Sequence, residues 1–191
     1  MAKRQFFGKH FIGMNVTFVE PRPSTWTLVR KVNEKYNQMG ELDLEEFDDP
    51  VSDAWAMFTC QNADNPSEEA RMRIYMQIPH EGSEFELSEA RASQASENVG
   101  EYAQSECDAL QRFTERRCSS MPHLLGYKKD RQPANAPVPG GYIFYLLMTE
   151  LPGIRLGTHS IFNAPFWKLP DDTRDRIRRE FQVAYGYVSN S

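Results

Sequence analysis

The clearest pattern of apolar and polar positions lies in residues 71–78, which alternate strictly between the two classes. One face of this segment would hold Met72, Ile74, Met76 and Ile78, and the other Arg71, Arg73, Tyr75 and Gln77. Because successive side chains of a β-strand point to opposite faces, the alternation predicts a half-buried strand. Residues 11–19, 54–60 and 124–127 also have the composition of strands. Residues 142–148, YIFYLLM, are apolar on both faces and predict a fully buried strand.

Three other segments carry apolar residues three and four positions apart, which is the spacing of one helix face. Residues 25–39 predict an amphipathic helix that ends at Gly40, with Trp26, Val29, Val32 and Tyr36 on its apolar face. Residues 93–117 predict a long helix, with an apolar face of Val99, Tyr102, Ala103, Leu110 and Phe113. A last helix begins at Pro170 or Asp171, with an apolar face of Ile177, Phe181, Ala184, Tyr185 and Val188.

Glu106 lies within the apolar stripe of the long predicted helix, because positions 103, 106 and 110 share a sector at about 100° per residue. A carboxylate on the core side needs a cation or several donors, since an unpaired buried charge is costly. Arg73, on the polar face of the preceding strand, is the nearest candidate in sequence. We therefore expect Arg73 to pair with Glu106. The alternative is a small rotation of the helix that carries Glu106 to solvent.

Composition and charge narrow the class of protein. The 191 residues are 40% hydrophobic, 12% aromatic and 26% charged, which is typical of one folded globular domain. With the predicted elements, this composition indicates an α+β fold: an antiparallel sheet packed by a long helix and followed by a C-terminal helix. The net charge of −5 argues against a nucleic-acid partner, because proteins that bind phosphate backbones usually carry an excess of basic charge.

The sequence has few features that indicate a cellular compartment or a metal site. Cys60, Cys107 and Cys118 are odd in number and lack CxxC spacing, so we predict reduced thiols rather than disulfides or a zinc site. The basic start has no apolar signal core, and no apolar run is long enough for a membrane span, so we expect a cytoplasmic protein without membrane contact. Residues 41–53 are rich in carboxylates. A solvated loop is favoured there over a cation site, and no metal site is predicted.

Several segments together resemble the nucleotide-binding lobe of kinase-like phosphotransferases. In chain order they are a strand with a cation (71–78), a helix with an acid (Glu106), a strand (124–127), and a buried strand with a Met-x-x-Leu-Pro-Gly linker (142–153). Within that superfamily the chain looks most like the aminoglycoside phosphotransferase and choline kinase branch, especially the kinase-like proteins of filamentous fungi. The resemblance covers roughly residues 54–188, and its phrases are ECDAL (106–110), VPGGY (138–142), LMTELPG (147–153) and FW (166–167).

The resemblance implies a site for ATP. In that family a strand lysine holds the α and β phosphates, the helix glutamate positions the lysine, and backbone groups of the linker bind adenine. By resemblance, the nucleotide-binding residues here are Arg73, Glu106, Thr149, Glu150 and Leu151. Two departures stand out: Arg73 replaces the usual lysine, and no Gly-x-Gly-x-x-Gly loop precedes the strand.

The expected organisation is one domain over residues 1–191. Residues 1–53 would form an N-terminal extension of strand, helix and acidic loop, residues 54–157 a kinase-like N-terminal lobe, and residues 158–191 a linker and C-terminal helix. The sequence contains no His-x-Asp followed by Asn, although phosphoryl transfer uses such groups to orient the acceptor and to bind magnesium. We therefore expect a catalytically inactive kinase-like module without the catalytic lobe. It would bind a protein partner, a second copy or a small ligand through the face where that lobe would dock.

Two alternatives stay open. The first is a small enzyme of secondary metabolism with recruited chemistry between the sheet and the last helix. Its candidate catalytic groups are Glu106, His80, His123 and His159, with Glu150 and nearby tyrosines. The second is a truncated ATP-dependent phosphotransferase whose catalytic lobe is missing or supplied by another chain.

Overall fold

The computed structural model describes residues 4–154, 156–157 and 164–189. The elements in chain order are β1 (Asn15–Phe18), β2 (Ser24–Asn37), α1 (Glu41–Glu46), β3 (Asp53–Asn62), β4 (Glu69–Gln77), α2 (Ser88–Ala92), α3 (Glu101–Glu115), β5 (Leu124–Arg131), β6 (Tyr142–Met148) and α4 (Asp171–Ser189). Two short 3-10 turns lie at Lys9–Phe11 and Pro165–Lys168. The predicted α+β class with an antiparallel sheet is confirmed at this level. No helix in the described part of the chain has the length and apolarity to cross a membrane.

The six strands form one antiparallel sheet in the order β1-β2-β3-β4-β6-β5. β4 lies near the middle of the sheet, between β3 and β6, where Arg73 is opposite Met57 on one side and Leu146 on the other. β6 is buried at every position, as its sequence predicts. The C-terminal half of β4 is buried on both faces, although the alternation predicted a half-buried strand. On the second face Tyr75 packs with α3, and the side chain of Gln77 is hydrogen-bonded to the backbone of Gln94 and Ser96, in the segment before α3.

Two apolar clusters lie on the two faces of the sheet. The inner cluster contains Met72, Ile74 and Met76 of β4, and the N-terminal Phe7 and Phe11 pack into it. The sheet curves far enough for β1 to contact β5. At that contact a Cβ atom on Gly126 would lie only 3.0 Å from the Phe18 ring. The outer cluster joins β4 and β6 to α3, which contributes Ala103, Cys107 and Leu110.

The helix predicted for residues 25–39 is wrong, because this segment forms β2. Trp26 and Leu28 are buried two positions apart, as expected for a strand. Register shifts with β3 fall between Leu28 and Arg30 and between Lys31 and Asn33. Each bulge inserts a residue that breaks the alternation, so the later apolar residues fall at helix-like spacing. Gly40, predicted to end this helix, instead precedes α1.

The N-terminal 53 residues differ in secondary structure from the expected strand, helix and acidic loop. Residues 1–53 were expected to be an extension, yet they supply β1 and β2 to the same sheet. The acidic segment expected to be a loop includes the short helix α1, most of which is exposed. The long helix predicted from residue 93 begins only at Glu101, because Gly100 before it has extended backbone angles, with φ −55° and ψ 148°. Tyr102, assigned to its apolar face, is 74% exposed.

Candidate functional site

The central polar contact of the outer face is an ion pair between Arg73 and Glu106, here called the central ion pair. Arg73 Nη1 lies 2.9 Å from Glu106 Oε1, and the two side chains are 30% and 22% exposed. The contact forms because Arg73 is on the face of β4 that α3 covers, while Cys107 and Leu110 of α3 are buried against the sheet. The expected pairing is therefore confirmed. A contact of this geometry between partly buried charges keeps both ions compensated.

Tyr75 supplies a second donor to the same carboxylate. Its hydroxyl donates to Glu106 Oε2 at 2.6 Å, so both oxygens of Glu106 are engaged. Burial, followed by the hydrogen bond to Glu106, raises the pKa of Tyr75 above its ordinary value. Tyr75 therefore acts as a neutral donor that holds the carboxylate. Its position two residues after Arg73 places both donors on the same face of β4.

A second ion pair joins β4 to the segment that follows β6. We call that segment, residues 149–157, the linker, and the pair of Arg71 with Glu150 the linker ion pair. Sheet register explains the contact, since Arg71 lies opposite Met148, the last residue of β6, and Glu150 follows two residues later. Arg71 Nη2 donates to Glu150. Arg71 Nη1 is buried and has no hydrogen-bond partner among the described residues.

The two ion pairs border a cavity of about 420 Å³, here called the cleft. Its apolar walls come from β3, α3, the segment before β5 and the end of β6: Met57, Leu110, Phe113, Met121, Pro122 and Met148. The linker closes one side with Thr149, Glu150 and Leu151. The cleft is thus an apolar slot with polar groups at its edges, which is the general form of a small-molecule site.

An aromatic cavity of about 650 Å³ lies on the other side of the central ion pair. Its rings come from Tyr36, Trp55, Tyr75 and Tyr102, and it shares Arg73 and Glu106 with the cleft. Trp55 lies opposite Tyr75 in the sheet, and their rings stack with centroids 6.2 Å apart. Sequence reasoning missed this cavity, because its rings belong to β2, β3, β4 and α3. The alternation in β4 could have placed Tyr75 beside Arg73, but not Trp55 opposite it.

The structure brings together all five residues that the resemblance assigns to a nucleotide. Arg73, Glu106, Thr149, Glu150 and Leu151 all line the cleft. The backbone amide of Thr149 already donates to the carbonyl of His123, which ties the start of the linker to the residue before β5. The side chain of Glu150 reaches β4, where it contacts Arg71.

Of the predicted catalytic histidines, the two that the structure describes, His80 and His123, make contacts away from Glu106. His80 Nδ1 lies 3.0 Å from Oγ of Ser52, a fully buried residue, and burial lowers the pKa of His80. His80 follows the end of β4, whereas His123 lies beside Thr149, near the start of β4. His123 Nε2 contacts the carbonyl of Cys118. His159 lies outside the described residues.

Neither a search for metal-binding clusters among the described residues nor a comparison with known proteins identifies the function. Within residues 4–154, 156–157 and 164–189, no three His, Cys, Asp or Glu side chains are grouped so that they could hold a metal ion. Comparison of the chain with protein-family models, curated proteins and solved structures found no match. The resemblance to kinase-like phosphotransferases therefore stays a prediction from the sequence segments quoted above.

Proposed function

We propose that this chain is a small-ligand-binding module built like the nucleotide-binding lobe of kinase-like phosphotransferases. Its site is the cleft beside the central ion pair. One observation carries the proposal: Arg73 and Glu106, predicted to meet because a carboxylate on the core side of a helix needs a cation, are in contact at 2.9 Å on the edge of an apolar cavity. In the kinase-like lobe the cation of the strand holds the phosphates, and the glutamate of the helix positions that cation. An adenine compound is the ligand that the resemblance implies, with ATP as the family's cofactor.

The order of elements supports the same proposal. A strand with Arg73, a helix with Glu106, another strand, and a buried strand that runs into the linker occur in the expected sequence. β4 and β6 are neighbours in the sheet, so the cation and the linker border the same cavity. An apolar slot that meets the polar backbone of a linker suits a flat base with polar edges.

Binding is favoured over recruited catalysis by the positions of the candidate acids and bases. A general base must lie within hydrogen-bond reach of the group that it deprotonates. His80 and His123 lie near opposite ends of β4, and the His80 ring is hydrogen-bonded to the hydroxyl of buried Ser52. Glu106 is held by Arg73 and Tyr75. The described candidate groups are therefore not arranged as a nucleophile beside its base. They are arranged as fixed polar groups at the edge of a ligand site.

A protein partner or a second copy of the chain is a further proposal from the same resemblance. The observation that favours it lies on α4, where Phe181, Val183 and Tyr185 are each more than half exposed. Clustered apolar side chains at a surface usually mark a contact. This mode is compatible with ligand binding in the cleft, since the cleft is lined by none of the α4 residues whose side chains the structure describes.

The test is a thermal-shift screen with ATP, ADP and adenosine, each with and without Mg²⁺, followed by titration calorimetry. A ligand that binds the folded state at about 100 times its Kd stabilises it by about 2.7 kcal/mol. For a chain of this size that gain corresponds to a rise in Tm of roughly 5–10 °C. We expect at least one adenine compound to raise the Tm, and we expect Arg73→Ala to abolish its binding.

The matched control is Arg131→Ala. Arg131 also pairs with a carboxylate, Glu97, but the pair is exposed and lies outside the cleft. Binding should therefore survive in this variant. Calorimetry is run well below the Tm of each variant, because Arg73→Ala leaves Glu106 with only the Tyr75 donor among the described residues. If no adenine compound binds the unmodified chain, the proposal is refuted.

A further inference from the structure

The charged side chains that line the cleft in the described part of the chain compensate one another. Two of the described lining residues are cations, Arg71 and Arg73, and two are anions, Glu106 and Glu150. They pair one to one as the linker ion pair and the central ion pair. A polyphosphate that enters the cleft must therefore compete with a carboxylate for each guanidinium. The net charge of −5 on the whole chain adds repulsion at longer range.

The linker ion pair distinguishes this cleft from an anion-binding site, in which the arginine would be free to bind the ligand. Arg71 and Glu150 are 79 positions apart in sequence and come from β4 and the linker. Glu150 is 39% exposed, so its position beside Arg71 is not forced by burial in a core. Its carboxylate thus neutralises a cation that would otherwise face the ligand. Removing this one negative charge would leave Arg71 free to bind an anion.

The second nitrogen of Arg71 indicates what the cleft can accept. Nη1 is buried without a partner among the described residues, while Nη2 is held by Glu150. A buried donor without a partner is unfavourable, and an acceptor atom on a ligand relieves that cost. Nη1 itself is not exposed, so Arg71 must turn towards the ligand to use it; a neutral acceptor such as a ring nitrogen or a carbonyl then does not compete with Glu150 for Nη2. Methionine and phenylalanine side chains, among them Met57, Met148 and Phe113, provide apolar surface for the ring.

We infer that the cleft takes a flat, uncharged heteroaromatic ligand with a hydrogen-bond acceptor, such as a nucleoside, in preference to a polyphosphate. Glu150 is the residue that sets this preference. The inference rests on the proposed function, because it names the class of ligand for the same cleft. Glu150 acts by neutralising Arg71, so it determines specificity without having to contact the ligand.

Titration calorimetry with adenosine and with ATP, both without Mg²⁺, tests the inference on the full chain. We expect adenosine to bind the unmodified chain about tenfold more tightly than ATP. In Glu150→Gln we expect ATP affinity to rise about tenfold while adenosine affinity changes by less than about twofold, since only the charge beside Arg71 has changed. The gain for ATP should shrink at high salt, as expected for a newly exposed charge. Glu89→Gln, an exposed site on α2, removes the same charge and should behave as the unmodified chain.

The outcomes separate the inference from the proposed function. If ATP binds the unmodified chain as tightly as adenosine or more tightly, the inference is overturned and the proposed function stands. If ATP affinity is unchanged in Glu150→Gln, Glu150 does not set the ligand preference. Glu150→Ser, checked for folding by circular dichroism, repeats this test in case Glu150→Gln misfolds. If neither ligand binds, the proposed function and the inference fail together.

Discussion

The buried carboxyl of Asp53 provides a quantitative test of the structure. Asp53 begins β3, and the residue is 6% exposed. The hydroxyl of Tyr142 donates to its Oδ2 at 3.3 Å, and no basic side chain forms an ion pair with it among the described residues. Burial raises the pKa of Asp53 from 3.8 to about 6, and the weak hydrogen bond from Tyr142 offsets only part of that rise. The folded protein therefore holds this proton more tightly than the unfolded chain does.

The sign and size of the effect follow from linkage. Because the folded-state pKa is the higher one, stability from this group is present at low pH and is lost as pH rises from about 4 to about 6. A shift of about two pKa units corresponds to about 3 kcal/mol. Asp53→Asn removes the ionisation and keeps an acceptor for Tyr142. We expect the variant to match the parent near pH 4 and to exceed its free energy of unfolding by up to about 3 kcal/mol at pH 7.5.

Urea denaturation followed by tryptophan fluorescence, at intervals from pH 4 to pH 8, measures this difference. The depressed pKa of His80 gives the parent a slope of opposite sign, since that stability is lost as pH falls below 6.5. His80 is present in both proteins, so its effect cancels in the comparison. Asp64→Asn, at an exposed position in the turn after β3, is the matched control, because it makes the same substitution without removing a buried carboxyl. A difference for Asp53→Asn that is constant across pH, or that falls as pH rises, would refute the reasoning.

Two further predictions concern packing and thiol chemistry. Gly126→Ala should lower the free energy of unfolding by about 1–3 kcal/mol, because its Cβ would lie 3.0 Å from the Phe18 ring; an unchanged denaturation midpoint would contradict the contact of β1 with β5. In the native state an aromatic disulfide reagent should label Cys118 first, because Cys60 and Cys107 are buried and burial raises their pKa values to about 12 and about 11. Rapid labelling of more than one thiol per folded chain would contradict their burial.

The central ion pair and the linker ion pair differ in how far the sequence predicts them. Arg73 and Glu106 could be matched because a buried acid demands a cation and the preceding strand offers one on its polar face. Arg71 and Glu150 could not be matched, since both have the residue types of an ordinary exposed surface. Only the pairing of β4 with β6 places Met148 opposite Arg71 and brings the linker within reach.

The failure at β2 has a local cause. Helical spacing of Trp26, Val29, Val32 and Tyr36 arises from two bulges in an edge region of the sheet, where the chain gains residues that have no partner on β3. The β-branched residues of this segment favour a strand, and that propensity was the better guide. Bulges depend on the neighbouring strand, so spacing within one segment does not reveal them.

The sequence by itself determined the elements with a clear local signal: β3, β4, β6, α4 and the part of α3 that carries Glu106. In β4 and α3 the side-chain pattern also placed Arg73 and Glu106 beside the buried residues, and such a pattern is a property of short stretches of chain. Tertiary structure alone decided the strand order, the contact of β1 with β5 and the one-to-one pairing of the charges that line the cleft among the described residues. These features depend on pairing between residues far apart in the chain, which alternation within a segment does not encode.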